Sequence, residues 1–162
     1  MKNLWMIFML VGISSFAKAY RGDSLIYHPN ANAAEDIAKA VALAKQENKH
    51  VLIEAGGNWC VWCMRFNKIT TADVQIDSLI KASYIVYHLN YSKENKNDAV
   101  FAQYSFPQRF GFPVFIVLDG AGNRIHTQNS AYLEQNNYYS KEKIVDFLKS
   151  WTVASLDPRQ YQ

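Results

Sequence analysis

The hydrophobic positions change period several times along this chain, and each change marks an element. From Asn32 to about Asn48 the apolar residues Ile37, Val41 and Ala44 recur three or four apart, which gathers them on one face of a helix. Asn32 at its start and Glu35 three residues on read as an N-cap and its capping partner. Residues 51–55 form a compact apolar run of strand length, suited to the centre of a sheet. Gly56-Gly57-Asn58 breaks that run, and a second helix opens at Cys60 and carries Met64 and Phe66. Thr70-Thr71 punctuates it, and Ile76, Leu79 and Ile80 then mark a third helical stretch.

The second half continues the alternation. Residues 84–89 read as a strand, 92–98 as a polar loop and 99–104 as a short helix. Residues 114–118 are continuously apolar, as a strand buried on both faces should be. Asp119-Gly120-Ala121-Gly122 turns the chain into a partner strand at 124–127. The Asn- and Tyr-rich stretch 128–139 is expected to be an exposed connection. Ser140 then caps a last helix whose apolar face is Ile144, Phe147, Leu148 and Trp151. A short strand is expected near the start, at 25–28. Strand–helix alternation that closes with a hairpin and a helix predicts an α/β domain: a mixed sheet flanked by helices on both faces.

At 162 residues the chain is long enough for one such domain, and 49% hydrophobic with 19% charged residues is an ordinary globular balance. Its first residues differ in kind. Lys2, an apolar run over 4–13 and Ala17-Lys18-Ala19 have the layout of a cleaved export leader at 1–19, leaving a domain over 20–162. The run is shorter than the ~20 residues a bilayer crossing needs. Losing Lys2 and Lys18 reduces the formal charge from +3 to +1, with no basic stripe that would suit nucleic acid. Asn90-Tyr91-Ser92 is a glycosylation triplet, meaningful only in a eukaryotic secretory pathway.

The two cysteines of the chain form one Cys-x-x-Cys. A structural zinc needs four ligands, and histidines 28, 50, 88 and 126 are scattered, in the manner of surface or sheet residues. No metal or other cofactor is therefore expected. The strand-to-helix setting favours a redox pair. Cys60 stands at a helix N-terminus, where unpaired N–H groups and the macrodipole stabilise a thiolate. Cys63 lies one turn inside, shielded from solvent, so Cys60 is expected to attack and Cys63 to resolve. Two other readings stay open: a Cu(I) protein using both thiolates, and a partner-binding module with incidental cysteines. Arg65 is either an aid to the thiolate or a solvated charge.

Trp59-Cys60-Val61-Trp62-Cys63, following the strand at 51–55, resembles the active site of the thioredoxin superfamily. Within it the sequence is most similar to exported bacterial thioredoxin-like proteins and the C-terminal domain of DsbD, over about residues 33–151. The resemblance implies a thioredoxin-like fold and disulfide exchange with protein substrates. It implies a substrate-facing role for Trp59 and, for Glu54 six residues before Cys60, relay of the Cys63 proton; Glu54 stands where the family usually has Asp. In Gly111-Phe112-Pro113 it implies a cis proline whose predecessor, Phe112, pairs its backbone with substrate. Trp62 adds an apolar wall beside the thiols. Val61-Trp62 replaces the usual Gly-Pro and brings no histidine, which favours reduction or isomerisation over net oxidation. The same resemblance points to the bacterial periplasm and to a membrane-bound thiol reductase as electron donor.

Overall fold

The computed structural model describes residues 25–162, so the leader expected over 1–19 lies outside the described residues. Helix α1 (Ala33–Glu47) starts as its cap predicts, with the Asn32 side chain accepting the Glu35 N–H. It ends at Asn48, whose φ of 54° is a left-handed conformation that asparagine tolerates. Strand β1 (His50–Gly56) follows, buried along its whole length. Then come α2 (Val61–Ala72), α3 (Val74–Ser83) and β2 (Tyr84–Asn90). The chain continues through α4 (Asp98–Gln103), β3 (Val114–Leu118) and β4 (Arg124–Asn129). A two-residue hairpin, β5 (Glu134–Gln135) and β6 (Tyr138–Tyr139), precedes the last long helix, α5 (Lys141–Ser150).

The main sheet has the order β2-β1-β3-β4, with β1 parallel to β2 and antiparallel to β3, which is itself antiparallel to β4. It is the mixed sheet expected, with β1 and β3 at its centre. Because successive side chains in a strand point to opposite faces, the two central strands feed two cores. Val51, Ile53 and Ala55 of β1 and Val114, Ile116 and Leu118 of β3 face α1 and α4, meeting Ile37, Ala44 and Phe101. Leu52, Phe115 and Val117 face the other way, onto Phe66 of α2, Ile76 of α3, and Ile144 and Leu148 of α5. Phe66 sits 4.3 Å from Phe115 between ring centroids, and burying such a side chain is worth about 1.5–3 kcal/mol. Helices therefore cover both faces, and no helix among the described residues is long and apolar enough to cross a membrane.

Three local expectations are corrected. Residues 25–28 form no strand; the chain bends there and is held instead by a side chain. Asn58 accepts the N–H groups of Ile26 and Tyr27 at 3.2 and 3.1 Å and donates to the Tyr27 carbonyl at 2.7 Å. Thr70 and Thr71 do not end α2, since each hydroxyl is satisfied inside the helix by a preceding carbonyl. The break falls at Asp73, which closes α2 and caps α3 by accepting the Gln75 and Ile76 N–H groups. The stretch 128–139 is only partly exposed, because Ser130, Leu133 and Tyr139 are buried and the hairpin packs on α2. Asn90 of the glycosylation triplet is 2% exposed, with its amide donating to Ser92 and to the Asn95 carbonyl, which removes it as an acceptor in the folded protein.

Asn58→Ala should free the 25–28 segment. Three partly buried hydrogen bonds at a net ~0.5–1.5 kcal/mol each put the expected loss at about 2–3 kcal/mol. A lowered urea midpoint with an unchanged slope checks this, and an unchanged midpoint would show that the clamp contributes nothing.

Candidate active site

Cys60 is the N-cap of α2. Its backbone is extended, and its Sγ accepts the N–H of Cys63 at 3.1 Å, satisfying one of the donors that a helix start leaves open. No acidic residue stands in the first turn to compete with a negative sulfur. The two cysteines are joined by a disulfide, with Cα atoms 5.2 Å apart. The expected contrast in exposure is small, because Cys60 is 5% and Cys63 2% exposed. What separates them is their surroundings: Cys60 is the cap, and Cys63 lies on the side of Gly56, packed with Tyr27.

Around the pair stands an aromatic rim. The Phe112–Pro113 peptide is cis, Pro113 is buried, and Phe112 packs against the cluster of Tyr27, Cys60 and Cys63. Trp59 is 58% exposed yet anchored: its Nε1 donates to the Tyr91 carbonyl at 2.7 Å, and its ring meets Phe112 edge-on at 5.6 Å. Tyr91 packs on Phe112 from the other side and donates its own N–H to the Gly56 carbonyl, tying the loop after β2 to the loop before Cys60. Beyond Trp59 and Tyr91 opens a cavity of about 360 Å³, continued by Ser92, Lys93, Glu94 and Lys96.

Trp62 is half-buried. It packs edge-on against Tyr139, and the Arg65 guanidinium lies over its ring, 4.7 Å from the centroid, while also donating to the Asn137 carbonyl. Arg65 is thereby engaged with Trp62 and the hairpin. Glu54 is 4% exposed on β1, and its Oε2 pairs with Nε2 of His88 across the parallel strand at 3.3 Å. It shares a face with Gly56, two residues further along the strand, against which Cys63 Sγ rests. Burial pulls the His88 pKa down, but the hydrogen bond and charge of Glu54 outweigh it and leave the imidazole above its ordinary value.

The structure thus brings Cys60, Cys63, Trp59, Phe112 and Pro113 to one rim, sets Trp62 against the hairpin, and places Glu54 behind the pair with a histidine partner. Three contributors escaped the sequence reading: His88, taken for an ordinary sheet histidine, Asn58 and Tyr27. The pairing of His88 with Glu54 follows from the parallel register of β1 and β2, which no local sequence signal gives. Nothing local marks Tyr27, which arrives from more than thirty residues upstream of Cys63. Among the described residues no cluster of three or more His, Cys, Asp or Glu side chains could hold a metal ion.

A mixed sheet flanked by helices, with a Cys-x-x-Cys disulfide at a helix start, is the arrangement of the thioredoxin-like disulfide oxidoreductase family. A thioredoxin-like family model matches residues 31–120, more than half of the chain, and the chain belongs to that family. It is 28% identical over 91 residues to the thiol:disulfide interchange protein DsbD of Vibrio vulnificus. That match takes in 56% of this chain but only 15% of the relative's length. Among solved structures, a disulphide isomerase from Xylella fastidiosa Temecula1 superposes with a TM-score of 0.70 at 25% identity, covering 80% of this chain and 98% of that one. The oxidised C-terminal domain of DsbD from Neisseria meningitidis is similar in fold, with a TM-score of 0.52 at 17% identity over 74% of this chain and 95% of that domain.

The Glu54–His88 pair carries a pH signature. Because the folded value of His88 is raised, the stability it contributes is complete below its unfolded value, about 6.5, and is lost as pH rises through the folded value. His88→Asn should therefore be most destabilising at pH 6 or below, with the difference from wild type shrinking toward pH 9. Urea midpoints across that range test it; a difference independent of pH would remove the ionic contribution.

Proposed function

We propose that the protein exchanges disulfides with protein substrates through Cys60 and Cys63, in the direction of reduction or isomerisation. The observation that carries this reading is the capped cysteine: Cys60 Sγ at the start of α2, bonded to Cys63 beneath Phe112 and the exposed Trp59. In the reduced protein the Cys60 thiolate attacks a substrate disulfide, and one substrate sulfur leaves as a thiolate. Cys63 then attacks Cys60 Sγ, the bond to substrate breaks, and both substrate sulfurs are released reduced at the expense of the Cys60–Cys63 pair. Trp59, Phe112, Pro113 and Trp62 form the surface that receives the substrate chain, with the cavity beside Trp59 open to a side chain next to the target cysteine. Glu54, paired with His88, exchanges the proton of Cys63.

Residues 1–19 act as an export leader, so the mature chain starts at Tyr20 and works in the bacterial periplasm. The relatives named DsbD support a partner of that kind, a membrane-bound thiol reductase that returns the pair to the dithiol state.

Cys63→Ser, produced in the native host, should accumulate substrates covalently bound at Cys60, while Cys60→Ser should lose insulin reduction entirely. Mass spectrometry of the trapped species is the readout. A wild-type protein inert toward insulin that retains one copper after purification under reducing conditions would replace this reading with Cu(I) binding.

The reduction potential should lie nearer about −270 mV than about −120 mV. Strong oxidants stabilise the nucleophilic thiolate with extra charge; Val61 and Trp62 carry none, and Arg65 is occupied by Trp62 and Asn137. Equilibration against glutathione measures it. A value above about −180 mV would assign net oxidation or isomerisation instead of reduction.

A further inference from the structure

Tyr27 lies outside the stretch matched by the thioredoxin-like family model, yet it is built into the redox centre. It is 1% exposed, and Asn58, two residues before Cys60, clamps both its N–H and its carbonyl, so the active-site loop itself locates the ring. A Cβ placed on Gly56 would stand 2.5 Å from Cys63 Sγ and 2.9 Å from the Tyr27 hydroxyl oxygen. Sulfur and phenol therefore share the space over one bare Cα. The groups facing the phenol are Glu54 on β1, His88 on β2 with its ring edge-on at 5.5 Å, Tyr139 on β6, and the two cysteines. Burial first, then the charge of Glu54 and the neighbouring Tyr139, hold the phenol well above its usual range. It keeps its proton wherever thiols titrate, and so remains a donor.

We propose that Tyr27 is a catalytic residue of the exchange reaction, donating a hydrogen bond to the Cys63 thiolate. The role rests on the exchange chemistry proposed above. When a donor thiolate attacks Cys60 Sγ to recharge the protein, the Cys60–Cys63 bond breaks and its electron pair goes to Cys63 Sγ. That sulfur becomes an anion in a nearly dry site. The Tyr27 O–H supplies the hydrogen bond that water supplies elsewhere, and the phenol keeps its proton throughout. In the opposite direction the same bond holds Cys63 in its attacking, deprotonated form. Glycine at 56 is what lets both atoms approach, since any side chain there would displace one of them.

The alternative is that Tyr27 only packs. With Cys60→Ser as background, Cys63 is the sole thiol of the chain and its thiolate absorbance can be followed against pH without any turnover. Tyr27→Phe keeps the ring and removes the donor. It should raise the Cys63 titration midpoint by about one to two pH units, the worth of one hydrogen bond to an anion. Incorporating 3-fluorotyrosine at position 27 keeps the fold and strengthens the donor, and should lower the midpoint. Midpoints unmoved by both changes would overturn the proposal and leave a packing role. Insulin reduction by the wild type, measured separately, tells failure of this inference from failure of the exchange reading.

Discussion

The junction between β1 and α2 has room for only one arrangement. At Gly56 the strand must end without a side chain, because a sulfur and a phenol oxygen occupy the position where one would be. The chain then has four residues, 57–60, in which to leave the sheet and enter a helix, and Cys60 spends its side chain capping that helix. Everything around the pair is anchored to this turn. Tyr91 donates to the Gly56 carbonyl, Trp59 to the Tyr91 carbonyl, and Asn58 holds the backbone of Tyr27. A loop that would otherwise be mobile is tied to the end of β2 and to the N-terminal segment, so the disulfide is presented by a stiff frame.

That frame depends on a sheet that is dry on both sides. The alternating side chains of β1 and β3 supply two separate cores, which is why both strands are apolar at every residue except Glu54 and, at the start of β1, His50. An acid in that position is a cost the fold accepts only with a partner. His88 is the partner, and the parallel register brings it opposite Glu54. The pair sits two residues behind the point where Cys63 rests, linked to it through the ring of Tyr27, which meets His88 edge-on. His88 itself is only partly buried, with 29% of its side chain exposed, while Glu54 behind it is almost fully enclosed.

The rim around the disulfide is uneven. On one side, Trp62 is committed to Tyr139 and roofed by Arg65, so the hairpin closes that flank. On the other, Trp59 is exposed over a cavity whose outer wall carries Lys93, Glu94 and Lys96. Large apolar surface is thus left open on the Trp59 flank, beside the disulfide.

Much of this was legible from residue order alone. Period-3.6 stripes, the short continuous apolar runs with their flanking turns, and the caps at Asn32 and Ser140 placed five helices and the four strands of the main sheet, because these signals are local. The Trp-Cys-x-x-Cys motif marked the redox pair, and its distance from the apolar strand put Cys60 at a helix start. Local signals failed where a side-chain partner lay far along the chain. Residues 25–28 have strand-like composition, but Asn58 captures their backbone before any strand can. Thr70 is a different case: it looked like a stop, yet its hydroxyl is satisfied locally by the Phe66 carbonyl one turn back in the helix. Glu54 could be singled out as an acid in a core strand, whereas its partner could not, since pairing with His88 exists only after β2 docks in register. Tyr27 is the extreme case: its chemistry comes from sharing one glycine's empty space with a sulfur, a neighbourhood that only tertiary packing creates.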